Sequence, residues 1–368
     1  MKWFGKRREA SRPVLARAYG TAGVPGEWPQ SYEAQVREGY AANPVAQRAV
    51  KIIAEGVAEA PLEASDPALI ALATTRSQGQ ELIATLAAQL LLHGNAFVQL
   101  LGDGAGNVAE LFALRPERVS VETDAGGWPA AYRYRVGGSV TRIAAEDPAG
   151  RPQMLHLKAF SPVDDHYGLG CLGAASGAIA IHNAATRWNK ALLDNAARPS
   201  GALVYDPGDG SALAPAQFDR LKADMEAAFS GAANAGRPML LEGGLKWQAM
   251  SLTPADMDFV GLKAAAAREI ALAFGVPPML IGLPGDNSYA NYREANKAVW
   301  RLTILPLAEK ILTELAQGLS GWFPEARLWV AIDKVPAMAE DRERLWRSVS
   351  GADFLTNEEK RAMLGLDR

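Results

Sequence analysis

Apolar positions recur along the chain with two different periods, and the changes of period divide it into segments. A stripe at helical spacing begins near Asn43 and predicts an amphipathic helix. Its members are Val45, Val50, Ile53 and Val57. Residues 80–92 predict a second helix. Gly94 can end this helix, because glycine readily adopts the left-handed conformation of a helix cap.

Between Gly94 and Phe160 the period becomes that of strands. Short apolar runs at 96–100, 111–114 and 119–122 are separated by turn residues. Residues 132–136 alternate with a period of two and run into Gly137-Gly138, which is typical of a hairpin. The stretch 94–160 is therefore predicted to form a largely antiparallel sheet unit.

Helical spacing returns after Gly173, and a long helix is predicted over 174–197. A small module of strands and one helix follows at 199–253. The next helix covers 254–274, with Gly275 as its cap and Pro277 and Pro278 blocking its continuation. The small module lies between two long helices, which predicts that it projects from the main body.

A Gly- and Pro-containing loop spans 280–288 and precedes a long helix over 289–317. Pro306 stands inside this helix and should bend it, because proline removes one backbone hydrogen bond. A strand at 328–332 and two short helices complete the pattern. The last helix opens with Thr356 and Glu359, the spacing of a capping box.

Composition narrows the possible functions. The chain has 368 residues, of which 49% are hydrophobic and 21% charged, so it is long and apolar enough for large cores. A formal charge of −3 gives no basic excess for tight nucleic-acid binding. One cysteine and four histidines, without metal-ligand spacing, favour neither a disulfide framework nor a transition-metal site. We expect no cofactor.

Neither end of the chain nor its interior predicts membrane association. Residues 1–30 are rich in Gly, Pro and Arg and are interpreted as a flexible arm; they contain no secretory apolar core. The apolar stretch 82–101 is interrupted by polar residues, among them Gln89, His93 and Asn95, and is interpreted as a buried core element.

Three motifs could carry chemistry. Residues 168–173 fit G-x-G-x-x-G, but no strand precedes them, so a glycine turn entering the helix is favoured over a dinucleotide site. Asp164-Asp165-His166 is interpreted as a polar turn rather than a metal cluster. The alternative function is a cytosolic thiol hydrolase that uses Cys171 as nucleophile and His182 as its base. A buried, inert cysteine is the simpler interpretation of Cys171.

Positive charges mark two helices. Arg293, Lys297 and Arg301 repeat every four residues after the loop, which would present cations to phosphates or simply to solvent. Lys263 and Arg268 on the preceding helix are equally ambiguous.

A series of segments, in order, resembles the portal proteins of tailed bacteriophages of the siphophage type. The resemblance covers about residues 43–366, and the stretch Glu269–Gly282, EIALAFGVPPMLIG, is the most specific. The brevity and Ala-rich composition also suit the portal of a phage-derived gene transfer agent. The other segments are HGNAFV (93–98), LRPERV (114–119), LHL (155–157), YGLG (167–170), NSYANY (287–292), TILP (303–306) and LTNEEKR (355–361).

The resemblance implies an α+β portal fold, assembled as a ring. The implied parts are a wing with its return strand, a helical stem, an α/β clip, a tunnel loop with a kinked long helix, and a short crown. They correspond to an N-terminal arm at 1–30, wing at 31–170, stem helix at 171–198, clip at 199–253, second stem helix at 254–276, tunnel loop at 277–288, kinked helix at 289–318, return strand at 319–336 and crown helices at 337–368.

The resemblance further implies a non-enzymatic function. A ring, commonly of twelve copies, would form the DNA channel at one vertex of a virion or virion-like particle assembled in the bacterial cytoplasm. The implied partners are the other ring subunits, the major capsid protein, the large terminase subunit, a head-completion adaptor and double-stranded DNA passing without sequence specificity, with no membrane.

The same resemblance assigns roles to individual residues. The residues expected to line the DNA channel are Asp286, Asn287, Ser288, Tyr289, Asn291, Arg293, Lys297, Lys263 and Arg268. The residues expected to act as hinges are Gly275, Pro277, Pro278, Gly282, Gly285 and Pro306. Twelve copies at −3 each would carry −36, which disfavours a channel that holds DNA tightly.

Overall fold

The computed structural model describes residues 31–77, 79–194, 201–206, 208, 213–229, 244–249, 258–283 and 288–365. The predicted N-terminal arm, 1–30, lies outside these residues. Backbone contacts divide the chain into two units, of which the first comprises 1–176 and 270–368 and the second 177–269.

The first unit begins with helices and short strands. In chain order these are α1 (Tyr32–Val36), a π turn (Arg37–Ala41), α2 (Pro44–Glu59), β1 (Leu62–Ala64), α3 (Pro67–Ala73), β2 (Arg76–Ser77), β3 (Gln80–Glu81) and α4 (Leu82–His93). The Asn43 side chain accepts from the backbone N–H groups of Val45 and Ala46 and so caps α2. Gly94 has φ of +76° and ends α4, as predicted.

Two antiparallel three-stranded sheets follow, which confirms the predicted sheet unit. Their strands are β4 (Asn95–Gly102), β5 (Val108–Leu114), β6 (Val119–Thr123), β7 (Pro129–Val136), β8 (Ser139–Ala144) and β9 (Met154–Lys158). One sheet has the order β5-β4-β9 and the other β6-β7-β8. Buried Phe97, Tyr132 and Ile143 belong to the core that joins the two sheets. The hairpin at Gly137-Gly138 connects β7 to β8.

The second unit contains most of two long helices and the small module. Its elements are α5 (Cys171–Asp194, which starts in the first unit), β10 (Gly201–Tyr205), α6 (Pro215–Phe229), β11 (Leu245–Ala249) and α7 (Phe259–Ala273, which ends in the first unit). β10 and β11 pair antiparallel. Within this unit Trp188 of α5 stacks on Phe259 of α7, with ring centroids 4.2 Å apart. Residues 230–243 of the small module lie outside the described residues.

The chain then returns to the first unit. Its elements are a 3₁₀ turn (Pro278–Ile281), α8 (Tyr289–Val299), a π turn (Trp300–Ile304), α9 (Leu305–Leu319), β12 (Leu328–Val330), two 3₁₀ turns (Ile332–Lys334 and Pro336–Met338), α10 (Ala339–Ser350) and α11 (Asn357–Met363). The capping box of Thr356 and Glu359 is present. β12 pairs antiparallel with β1, which makes a two-stranded sheet of its own.

The predicted helix over 289–317 is interrupted by the π turn rather than being a regular helix with one proline. Leu305 N–H donates to Trp300 O, five residues back, so the regular ladder is already broken when Pro306 follows. Ile304 anchors this turn to α2, because Gly56 leaves space for its side chain; a Cβ at Gly56 would lie 2.7 Å from Ile304 Cδ1.

Asn95 holds together the turn after α4, the strand β9 and the glycine turn before α5. Its Oδ1 accepts from Gly168 N–H at 2.8 Å and lies 3.0 Å from His156 Nε2, while its Nδ2 donates to Gly168 O at 3.1 Å. Because a backbone N–H can only donate, it fixes the orientation of the amide, and His156 Nε2 must carry a proton.

Gly168 and Gly170 of the pattern at 168–173 have packing roles rather than a nucleotide-binding role. A Cβ on Gly170 would lie 2.6 Å from Leu92 O and 2.9 Å from Gly94 N, whereas one on Gly173 would meet nothing within 4 Å. The pattern is therefore a close backbone approach that leads into α5. Asp164 accepts from the backbone N–H groups of His166 and Tyr167, which is the predicted polar turn.

We predict that Gly170→Ala lowers the free energy of unfolding by about 1–3 kcal/mol, because backbone atoms must move to admit the new methyl group. Gly173→Ala, in the first turn of α5, is the matched control. It should leave stability unchanged or raise it by up to ~1 kcal/mol, because alanine favours the helix. Urea unfolding of both full-length variants checks this; equal effects would contradict the packing role.

Two half-buried histidines, His93 and His156, predict an acid-sensitive fold. Burial lowers the pKa of His93 to about 4, and burial, with Lys158 and the neighbouring histidines adding to it, lowers the pKa of His156 to about 3. An unfolded histidine has a pKa of about 6.5, so below that pH the unfolded chain binds more protons than the folded chain.

We therefore predict that the free energy of unfolding is constant above about pH 6.5 and falls below it, by up to about 1.4 kcal/mol per pH unit for each histidine. Urea unfolding between about pH 7.5 and 5 measures the slope, and His156→Gln should make it shallower. A wild-type free energy that stays flat over this range would contradict the prediction.

Candidate functional site

The segment predicted to carry the tunnel loop begins at the end of α7. Gly275 has φ of +70° and caps that helix, and a Cβ there would lie 2.9 Å from Thr303 Oγ1. The Thr303 hydroxyl donates to Gly275 O at 2.8 Å. The π turn thus holds the point where the chain leaves α7.

The next residues form a short rigid connection. Pro277 has φ of −56°, Pro278 opens the 3₁₀ turn, and Gly282 ends the turn at φ +85°. Leu283 is the last described residue before the gap. Asp286 and Asn287, with the expected hinge Gly285, lie outside the described residues, so their roles stay predictions.

After the loop, α8 begins at a well-defined cap. Ser288 Oγ accepts from Asn291 N–H at 3.1 Å, which is the usual N-cap geometry. Tyr289 is 81% exposed and Tyr292 52% exposed. The start of this helix therefore presents hydroxyl-bearing aromatic groups and the exposed Asn291 beside the loop, without a positive charge in its first turn.

The cations of α8 are paired within the chain. Arg293 Nη1 lies 2.8 Å from Glu340 Oε1, and Lys297 Nζ lies 3.1 Å from Glu340 Oε2. The hydrogen bond from Lys297 is the main reason why the pKa of Glu340 is lowered, and that of Lys297 is raised in return. Both groups are therefore charged near neutral pH.

The basic stripe is predicted from the sequence to face either phosphates or solvent, and at Lys297 the pairing agrees with neither. The residue is buried, with 5% of its surface exposed, so it faces neither solvent nor phosphate in the single chain. Arg301 is exposed. Lys263 and Arg268 lie on α7 in the second unit, where the side chain of Arg268 is exposed.

The pair of Cys171 and His182 cannot form a thiol nucleophile with its base. Both lie on α5, eleven residues apart, which separates them by about 16 Å along the helix axis. Burial raises the pKa of the Cys171 thiol and lowers that of His182, opposite to what a thiolate and an imidazolium need. The thiol hydrolase alternative is therefore not supported.

Two further findings bear on the site. Within the described ranges no group of three or more His, Cys, Asp or Glu residues is placed to hold a metal ion. In the same part of the chain, no helix is both long enough and apolar enough to cross a membrane.

Residues 44–365 match the family described as phage portal protein. The chain belongs to the phage portal protein family. Among its relatives is an uncharacterized protein of Rickettsia bellii (strain RML369-C), 38% identical over 349 residues, covering 90% of this chain and 88% of the relative.

Solved structures extend this similarity to the fold. A chain from the neck of a native gene transfer agent particle, computed with C12 symmetry, is 48% identical, with a TM-score of 0.72 over 92% of this chain and 94% of that chain. A HK97 family phage portal protein from Corynebacterium diphtheriae is 18% identical, with a TM-score of 0.61 over 84% and 99%, and shows the fold alone. The portal fold predicted from the sequence is thereby confirmed.

We predict that Thr303→Val loosens the end of α7, because it removes the hydroxyl that donates to Gly275 O while keeping the side-chain shape. The loss should be about 1 kcal/mol of local stability, the usual net value of one hydrogen bond. Amide hydrogen exchange at 275–283 measures it, and Thr303→Ser is the matched control that keeps the hydroxyl. Equal exchange in the two variants would show that the hydrogen bond has no such role.

Proposed function

We propose that the chain forms the ring-shaped DNA channel of a gene transfer agent or phage particle, at one vertex of its capsid. The observation that carries the proposal is the 48% identity, over nearly the whole of both chains, to a chain in the neck of a gene transfer agent particle computed with C12 symmetry. The much lower identity to the phage portal, 18%, favours the gene transfer agent type.

The charges of the chain suit a channel that passes DNA without holding it. Binding through phosphate neutralisation strengthens with every cation that meets the backbone. Here the net charge is −3, and Arg293 and Lys297 are already paired with carboxylates. The residues that flank the loop, Ser288 and Tyr289, are polar and uncharged and would touch phosphates without reading bases.

The remaining partners are proposed from the resemblance to portal proteins. The small module at 199–253 would dock the large terminase subunit and later a head-completion adaptor. The helices at 337–368 would form the crown, and the wing would contact the major capsid protein. Asp286 and Asn287 would line the channel with Ser288, Tyr289 and Asn291. The hinges would be Gly275, Pro277, Pro278, Gly282, Gly285 and Pro306.

The double variant Asp286→Lys, Asn287→Lys tests the channel. Adding two cations per subunit to the loop should slow DNA passage through stronger phosphate contact, and the yield of DNA-filled particles should fall about tenfold or more. The matched control Asp286→Asn, Asn287→Gln removes the carboxylate without adding a cation, keeps the loop polar and should package normally.

Assembly is measured on the same proteins by mass photometry and negative-stain imaging. Wild type and variants should all give rings near 470 kDa, twelve times the 39.2 kDa chain. Intact rings with unchanged DNA yield would contradict the placement of the loop in the channel. Chains that never form a ring, even with capsid proteins present, would overturn the proposed function itself.

A further inference from the structure

Lys297 is a charged side chain in an unusual position, since it is buried on α8 only nine residues after its N-cap, Ser288. Lysine is rarely buried unless it is paired, because removing an ammonium from water costs free energy. The position of this ammonium therefore depends on the groups that neutralise it.

Two of those groups come from α10, the first of the two C-terminal helices. Lys297 Nζ lies 3.1 Å from Glu340 Oε2 and 3.3 Å from Asp341 Oδ1, and Glu294 of its own helix adds a contact at 3.5 Å. Arg293 Nη1 lies 2.8 Å from the other oxygen of Glu340. One carboxylate therefore bridges two successive turns of α8, which fixes rotation as well as distance.

The acceptors lie in the first turn of α10, where carboxylates are also favoured by the free backbone N–H groups. Glu340 and Asp341 are thus held both by the start of α10 and by the cations of α8. If either helix shifts, Lys297 remains buried without its partners, which is unfavourable. The two helices are therefore expected to move as one.

The same helix is attached to the loop on its other side. α8 begins at Ser288, directly after loop residues 284–287, and the π turn after α8 holds Gly275 O through Thr303. A displacement of α10 that reaches Lys297 therefore reaches the residues flanking the loop.

We propose that Lys297 is the positioning residue that couples the first C-terminal helix, α10, to the segment carrying the tunnel loop. This rests on the proposed function, in which that loop meets DNA. The ion pairs transmit in both directions, since coupling between two sites is reciprocal. A change in the conformation of the crown helices changes the position of the loop, and contact of the loop with DNA changes the conformation of the crown helices.

The test compares Lys297→Met with Lys310→Met in the full-length protein. Lys310 is the matched control, because it pairs with Glu314 at 2.6 Å within α9 and does not link two helices through that pair. Lys297→Met should raise amide hydrogen exchange at 288–296 and at 339–350 about fivefold or more, the lower end of typical coupling between sites. Lys310→Met should raise neither.

The reciprocal variant Glu340→Gln, Asp341→Asn acts from the other helix. Its carboxylates are 46% and 38% exposed, and the amide oxygens of Gln and Asn can still accept from Lys297 Nζ, so the variant should fold even if Lys297→Met does not. It should raise exchange at 288–296 as well, and combining all three substitutions should add little, because they remove the same interaction.

Exchange that rises only around the substituted residue, or effects that add in full, would overturn the coupling. Coupled exchange with an unchanged amount of DNA per particle would overturn its role in DNA passage. The exchange measurement needs only the folded chain, so it separates this proposal from the proposed function, whose failure would be seen as the absence of rings.

Discussion

The close approach of the glycine turn to the end of α4, fixed by Asn95, is the interaction on which the arrangement of the first unit depends. Asn95 is almost fully buried and bonds to both backbone groups of Gly168 as well as to the ring of His156. It therefore joins a helix end, a sheet and the start of α5 in one place. Without side chains at 168 and 170, the backbones can come close enough for these bonds to form.

The segment from Gly275 to Ser288 is fixed at both ends, and the loop sequence at 284–287 is short and contains the polar residues Asp286 and Asn287. Gly275 and Thr303 hold one end, and Ser288, with the ion pairs of α8, holds the other. A loop between fixed ends loses less entropy on contact with a partner than one with free ends. In the proposed channel, which would touch DNA repeatedly and release it, fixed ends with few cations are more suitable than a long flexible basic loop.

Local signals explain which features the sequence could predict. Asn43, Gly94, Gly275 and the Thr356 capping box all act within one turn of their own helix, so the residues themselves indicate the ends. The pairing of Lys297 with Glu340 joins residues 43 positions apart, and β1 pairs with a strand more than 260 residues away. Spacing along the chain carries no information about such contacts. Four-residue spacing of cations indicated a basic stripe, but their carboxylate partners lie on another helix.

The π turn at Trp300–Ile304 changes the angular positions of the side chains of α8 relative to those of α9. Each residue advances a regular helix by about 100°, so the wider turn offsets every side chain of α8 relative to those of α9. Ile304 anchors the turn on α2, and α9 then faces the core with Ile311 and Leu315. A natural insertion or deletion of one residue here would leave both helices intact and rotate one against the other. Length variation at this point would re-aim the loop at the expense of the contacts that Ile304 makes with α2 and Thr303 with Gly275.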